Sequence, residues 1–130
     1  MFPTTHDITP TTLDLSRQVL RELTSRGNRV LIVSKPHLEC VEALCADLRD
    51  VRPLVQFRFT IGTNDAAVAR FWEPGAPAPA ERIEALLSAF LSGFQTGVSM
   101  EPLLCDADRA VAFVGDNLQR WVFHFNKSTA

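Results

Sequence analysis

The residues of this chain that could carry chemistry fall into five small groups. They are Thr5-His6-Asp7, then Ser34-Lys35, then Thr60 with Gly62, Thr63 and Asn64, then Ser99 with Glu101, and last His124 with Asn126 and Lys127. His6, Asp7, Glu101 and His124 together would suit a metal-dependent barrel enzyme, because imidazoles and carboxylates are ordinary ligands for catalytic divalent ions. Each group also has a plainer reading. Lys35 precedes Pro36 and reads as a solvated loop lysine, Thr60 as a strand former, and His6-Asp7 as a local cap. Arg58 and Glu101 could form a structural ion pair. The three cysteines make no ligand run. Cys40 and Cys45 are five apart on a helix and diverge, which fits neither a zinc pair nor an iron–sulfur run. Cys45 reads as core and Cys40 as a bystander.

The elements that must position these groups follow from periodicity. Val55, Phe57, Phe59 and Ile61 alternate with Gln56, Arg58 and Thr60, the two-residue period of a strand with unlike faces. A parallel strand covered by helices on both sides is apolar throughout. The polar face of this one therefore meets a wet lumen or a cofactor. Before it, Thr9 as cap and Pro10 at the first helical position open a helix to about Arg26, with Leu13, Leu15, Val19, Leu20 and Leu23 as its buried side. Gly27-Asn28 stops it. Residues 29–34 read as a central strand, and 37–49 as a helix with the stripe Leu38, Val41, Leu44, Cys45 and Leu48. After the alternating strand, Asn64-Asp65 caps a short helix over 66–71, a Pro/Gly/Ala loop covers 73–79, and a helix covers 80–92. A strand at 95–100, a helix at 107–118 and a last strand at Trp121–Phe125 complete the series.

Helix then strand, four times over, predicts an α/β fold of parallel strands joined by right-handed crossovers. Neither GxGxxG nor GxxxxGK occurs, which favours a partial TIM-type (β/α) barrel segment over a nucleotide-binding open sheet. In such folds ligands gather at the carboxyl ends of the strands, and every predicted strand delivers polar groups to that rim. About four strands cannot close an eight-stranded barrel. Their open edges would pair with another copy of the chain or with a missing segment of a larger domain.

At 130 residues the chain is read as one domain, with a core of ordinary size. A formal charge of -2 without a basic block does not indicate binding to nucleic acid through its phosphates. No apolar run reaches transmembrane length, and the start lacks a signal-peptide pattern. With three cysteines and no disulfide framework, the expectation is a cytoplasmic protein with reduced thiols.

Five stretches occur in an order that carries a family resemblance. They are Met1-Phe2-Pro3-Thr4-Thr5-His6-Asp7-Ile8, Val30-Leu31-Ile32-Val33-Ser34-Lys35-Pro36-His37, Phe57-Arg58-Phe59-Thr60-Ile61-Gly62, Phe71-Trp72-Glu73-Pro74-Gly75-Ala76-Pro77 and Ser99-Met100-Glu101-Pro102. Over residues 1–106 the chain resembles the radical S-adenosylmethionine superfamily, in its branch related to spore photoproduct lyase and "DNA repair photolyase"-type proteins. The resemblance implies a partial barrel in which a [4Fe–4S] cluster reductively cleaves S-adenosylmethionine to a 5′-deoxyadenosyl radical. By matching position, Thr5-His6-Asp7 would sit at the methionine amino group, Lys35 at its carboxylate and Thr60 near the ribose, with Glu101 lining the same lumen. Opposite charges paired in a site sheltered from water favour those roles. Relatives carry a CxxxCxxC run that this chain lacks. The expectation is therefore a truncated or split radical enzyme domain spanning 1–130, inactive alone. The competing expectation is a non-catalytic binding or assembly module that self-associates through its open edges. The substrate is not legible; the branch name points to DNA lesions, but no feature of the sequence reads nucleic acid.

Overall fold

Alternating and striped apolar residues dictate the layers, and a computed structural model describes them for residues 1–118. Three strands, β1 (Val30–Ser34), β2 (Val55–Thr60) and β3 (Gln95–Ser99), form one parallel sheet in the order β1-β2-β3. The register places Ile32 beside Phe57 and Phe57 beside Thr96, with Val33, Arg58 and Gly97 in the next row. The strand expected at Trp121–Phe125 lies outside the described residues. At the other edge, Phe2 makes a parallel bridge to Ile32, donating its N–H to Leu31 (2.8 Å) and accepting that of Val33 (2.9 Å). The architecture is thus an open α/β arrangement of three parallel strands, with a single residue in a fourth position.

Among the described residues, five helices follow from the sequence: α1 (Leu13–Ser25), α2 (Leu38–Asp47), α3 (Ala66–Trp72), α4 (Pro79–Leu91) and α5 (Ala107–Leu118). A 3₁₀ segment, Arg49–Leu54, leads into β2. Leu20 of α1, Val41 and Leu44 of α2, Ala85 and Leu86 of α4 and Phe113 of α5 share one buried cluster with Ile32, Phe57, Phe59 and Val98 of the sheet. Helices α1, α2 and α4 therefore cover the same sheet face. The other face, with Leu31, Val33, Gln56, Arg58 and Thr60, is only half-buried. Among the described residues, no helix is long and apolar enough to cross a membrane.

Two details of α1 differ from the sequence expectation. The helix starts at Leu13, because Thr9, Thr11 and Thr12 satisfy one another in a hydroxyl-linked turn: Thr12 Oγ1 accepts the N–H of Thr9 at 2.9 Å. Its buried side is also rotated. Leu15 is 66% exposed and Val19 36%, while Ser16, Leu20 and Thr24 are buried. Thr24 tolerates burial because its hydroxyl donates to the Leu20 carbonyl at 2.8 Å. Cys40, read as a bystander, is 1% exposed and belongs to the core. Asp65 caps α3 as expected, accepting the N–H groups of Ala67 (2.8 Å) and Val68 (3.2 Å).

Phe57 is fully buried at the middle of the central strand, against Phe59 and Phe94 with ring centroids 5.6 and 5.3 Å away. Phe57→Ala should destabilise the fold by about 3–5 kcal/mol through lost burial and the cavity left behind. Urea unfolding monitored by circular dichroism checks this; a loss below about 1 kcal/mol would contradict the assignment of Phe57 to the core.

Candidate functional site

The site grows from the end of β1. Residues 31 and 33 turn their backbone groups to the outer edge, where Phe2 binds them. The next residue in phase is Lys35, and the carboxylate of Asp7 takes its N–H. Asp7 Oδ1 accepts the Lys35 N–H at 2.8 Å and the Ser34 hydroxyl at 3.3 Å. The same hydroxyl oxygen accepts the Ile8 N–H at 3.1 Å. Asp7 thus finishes the edge that Phe2 begins, and this places its second oxygen 3.7 Å from Lys35 Nζ. Both side chains remain about one-third open to solvent.

A cavity of about 480 Å³ opens beside this pair. It is lined by Asp7, Lys35 and His37, by Trp72 at the end of α3, and by Glu73 and Pro77 of the α3–α4 loop. Two adjacent residues in the first turn of α4 hold the walls. Glu81 accepts the Leu38 N–H at the start of α2 at 3.1 Å. Arg82 is 1% exposed and donates to the carbonyls of Pro77 (2.7 Å) and Thr60 (3.1 Å) and to Glu73 Oε2 (2.6 Å). The guanidinium therefore ties the α3–α4 loop to the carboxyl end of β2. Glu73 Oε1 is buried and has no hydrogen-bond partner.

The residues expected from the sequence are only partly brought together. Asp7 and Lys35 meet and line the cavity. Thr5 and His6 lie close by in sequence but do not line it; the Thr5 hydroxyl is 3.1 Å from His6 Nδ1, and both residues are exposed. Thr60 engages the site through its carbonyl, bound by Arg82, with its half-buried side chain on the polar sheet face beside Ser99. Glu101 is exposed and does not line the cavity, although its neighbour Pro102 does. Arg58 Nε is buried without a partner. His124 lies outside the described residues. Among those described, no group of three or more His, Cys, Asp or Glu is placed to hold a metal ion.

Glu73 and Arg82 were missed in the sequence. A signal existed for Arg82: it lies three, four and seven residues before Ala85, Leu86 and Ala89, all buried, and so falls on the apolar stripe of its helix. A charge on such a stripe calls for a partner. No comparable pattern marks Glu73, whose role depends on where the loop folds.

The thiols offer no cluster. Burial pushes Cys40 and Cys45 up to about 11, both on α2, and raises Cys105 as well. A scan against protein-family models, a search of curated proteins and a search of solved structures each find no match to this chain.

Arg82→Ala leaves Glu73 as an uncompensated buried charge. It should cost about 3–5 kcal/mol, read by urea unfolding; a neutral result would show that the guanidinium does not hold the loop. Thiol titration supplies a second check. At pH 8 the folded chain should release only Cys105 quickly to a disulfide reagent, and all three cysteines in urea. For Cys40 and Cys45 the folded pKa lies above the unfolded value of 9.0, so their contribution is intact below about pH 9. It fades as pH rises toward 11, and stability should fall over that window.

Proposed function

We propose that this chain forms one wall of a radical S-adenosylmethionine-type (β/α) barrel and binds the cofactor at its carboxyl rim. The observation that carries the reading is the half-open Asp7–Lys35 pair at the end of β1, beside the rim cavity. Exposed ion pairs contribute little to stability. Such a pair can be exchanged for a zwitterion, with the ligand carboxylate on Lys35 and its ammonium on Asp7, so that no charge is left unmatched. Helices on one sheet face and polar residues on the other support a barrel segment whose lumen would be the Gln56-Arg58-Thr60 face.

In radical S-adenosylmethionine enzymes the cofactor, next to a reduced [4Fe–4S] cluster, supplies a 5′-deoxyadenosyl radical. The residues present do not fit that cluster. Cys40 and Cys45 are buried within α2 as core thiols, and Cys105 stands in the loop after β3. No step of the radical reaction is therefore assigned to this chain. In this reading the cluster ligands come from another segment or another polypeptide. A second reading, self-association as an assembly module, rests on the sheet edges. The outer edge of β3 carries no strand among the described residues, and that of β1 is engaged by Phe2, with Asp7 at the N–H of Lys35 just beyond it.

Isothermal titration with S-adenosylmethionine should give saturable binding. Lys35→Ala should weaken it about ten-fold or more by removing the carboxylate partner. Absence of binding by the folded chain would overturn the proposal. With iron, sulfide and a strong reductant added, no 5′-deoxyadenosine should form; its formation would refute the statement that the cluster ligands lie elsewhere. Sedimentation across a concentration series tests the second reading, which a strictly monomeric species would eliminate.

A further inference from the structure

The α3–α4 loop holds a carboxylate with one oxygen used and one unused. Glu73 has an 8% exposed side chain; Oε2 is bound by Arg82, and Oε1 is buried with no partner. An unmet charged acceptor away from water carries a desolvation cost that folded proteins rarely leave uncompensated. Glu73 itself lines the rim cavity. Arg82 holds Oε2, so Oε1 is the oxygen of this carboxylate left for an occupant.

We propose that the rim cavity takes an organic cation, an ammonium or guanidinium group on an aliphatic stem, with Glu73 Oε1 as its acceptor and Trp72 as its aromatic wall. Three observations converge on that class. The first is the unmet acceptor. The second is how the charges pair: Asp7 faces Lys35, and Arg82 holds only Oε2 of Glu73, so Oε1 is the one oxygen of these two carboxylates left without a partner. The third is Trp72. It is 64% exposed and lines the same cavity, so most of the indole is accessible to a cation. Pro74, Pro77 and Leu104 supply apolar surface for the stem.

An anion would face the same unmet oxygen and be repelled by it. A neutral apolar body would leave the oxygen as it is. The inference does not rest on the cofactor reading, because a simple cation has no carboxylate for Lys35 and engages a different side chain.

The test uses agmatine, which carries an ammonium and a guanidinium, and N-butylurea as a neutral counterpart. Titration of the isotope-labelled full chain by nuclear magnetic resonance should give saturable shifts at the Trp72 indole N–H and the Ala76 amide with agmatine and none with N-butylurea. Glu73→Gln should weaken agmatine binding about ten-fold or more. Trp72→Leu, which leaves the bonds of Arg82 in place, should weaken it about three-fold or more. The proposal is overturned if agmatine gives no saturable shift, if the neutral probe binds equally, or if a folded Glu73→Gln variant binds unchanged. Should Glu73→Gln fail to fold, Trp72→Leu decides, and unchanged affinity in that variant overturns it. If S-adenosylmethionine binds while agmatine does not, this inference alone fails.

Discussion

The buried guanidinium of Arg82 is the contact on which the site depends. It sits in the first turn of α4 and reaches three acceptors: the carbonyl that ends β2, the carbonyl of Pro77 and the carboxylate of Glu73. Only arginine offers several N–H donors in a rigid planar fork suited to such a set. Its neighbour Glu81 points the other way and holds the start of α2. One helical turn thus fixes the strand end, the following loop and the adjacent helix relative to one another. A buried ion pair of this kind adds little to net stability, since desolvation offsets the attraction. Its physical effect is positional. It holds the Glu73–Pro77 loop at the cavity that Asp7 and Lys35 also line.

The sheet imposes the second constraint. Phe57, Phe59 and Val98 face the helices, while Arg58 and Thr60 face away. A parallel sheet enclosed by helices on both faces would carry apolar side chains on each. Here the crossovers of the described residues return on one side, and the other, half-buried face keeps a polar row along β2. Asp7 belongs to the same logic at the edge. A parallel edge strand presents backbone groups at every second residue, and a carboxylate occupies the position where the bridge from Phe2 stops.

Much of this was legible in the sequence where a pattern repeats. The alternation of Gln56, Arg58 and Thr60 with Val55, Phe57 and Phe59 foretold both the strand and its unlike faces. Asp65 foretold the start of α3, because an aspartate before an apolar run has its acceptor free for the first N–H groups. The face of α1 was misread for a physical reason. Periodicity weighs apolar character, and it favoured Leu15 and Val19 over Ser16 and Thr24. The structure buries Thr24 because its hydroxyl is satisfied within the helix. The site was the least legible part. Asp7 and Lys35 are 28 residues apart, and Arg82 is 22 residues from Thr60. No local pattern links groups that meet only after the strands align.

Two unmet polar atoms bear on what the open surfaces are for. Arg58 Nε is a donor on the polar sheet face, and Glu73 Oε1 is an acceptor in the rim loop. Both are buried, and each carries part of a formal charge, so each costs free energy as it stands. A surface designed only to meet another apolar layer would gain by losing both groups, because replacing a buried charge with a packed apolar side chain is commonly neutral or stabilising. Their presence favours polar occupants over an apolar docking partner. Their opposite signs separate the two surfaces: the sheet face favours an acceptor, and the rim loop favours a donor. The Asp7–Lys35 pair, which offers one of each, stands at the end of the sheet and on the wall of the cavity.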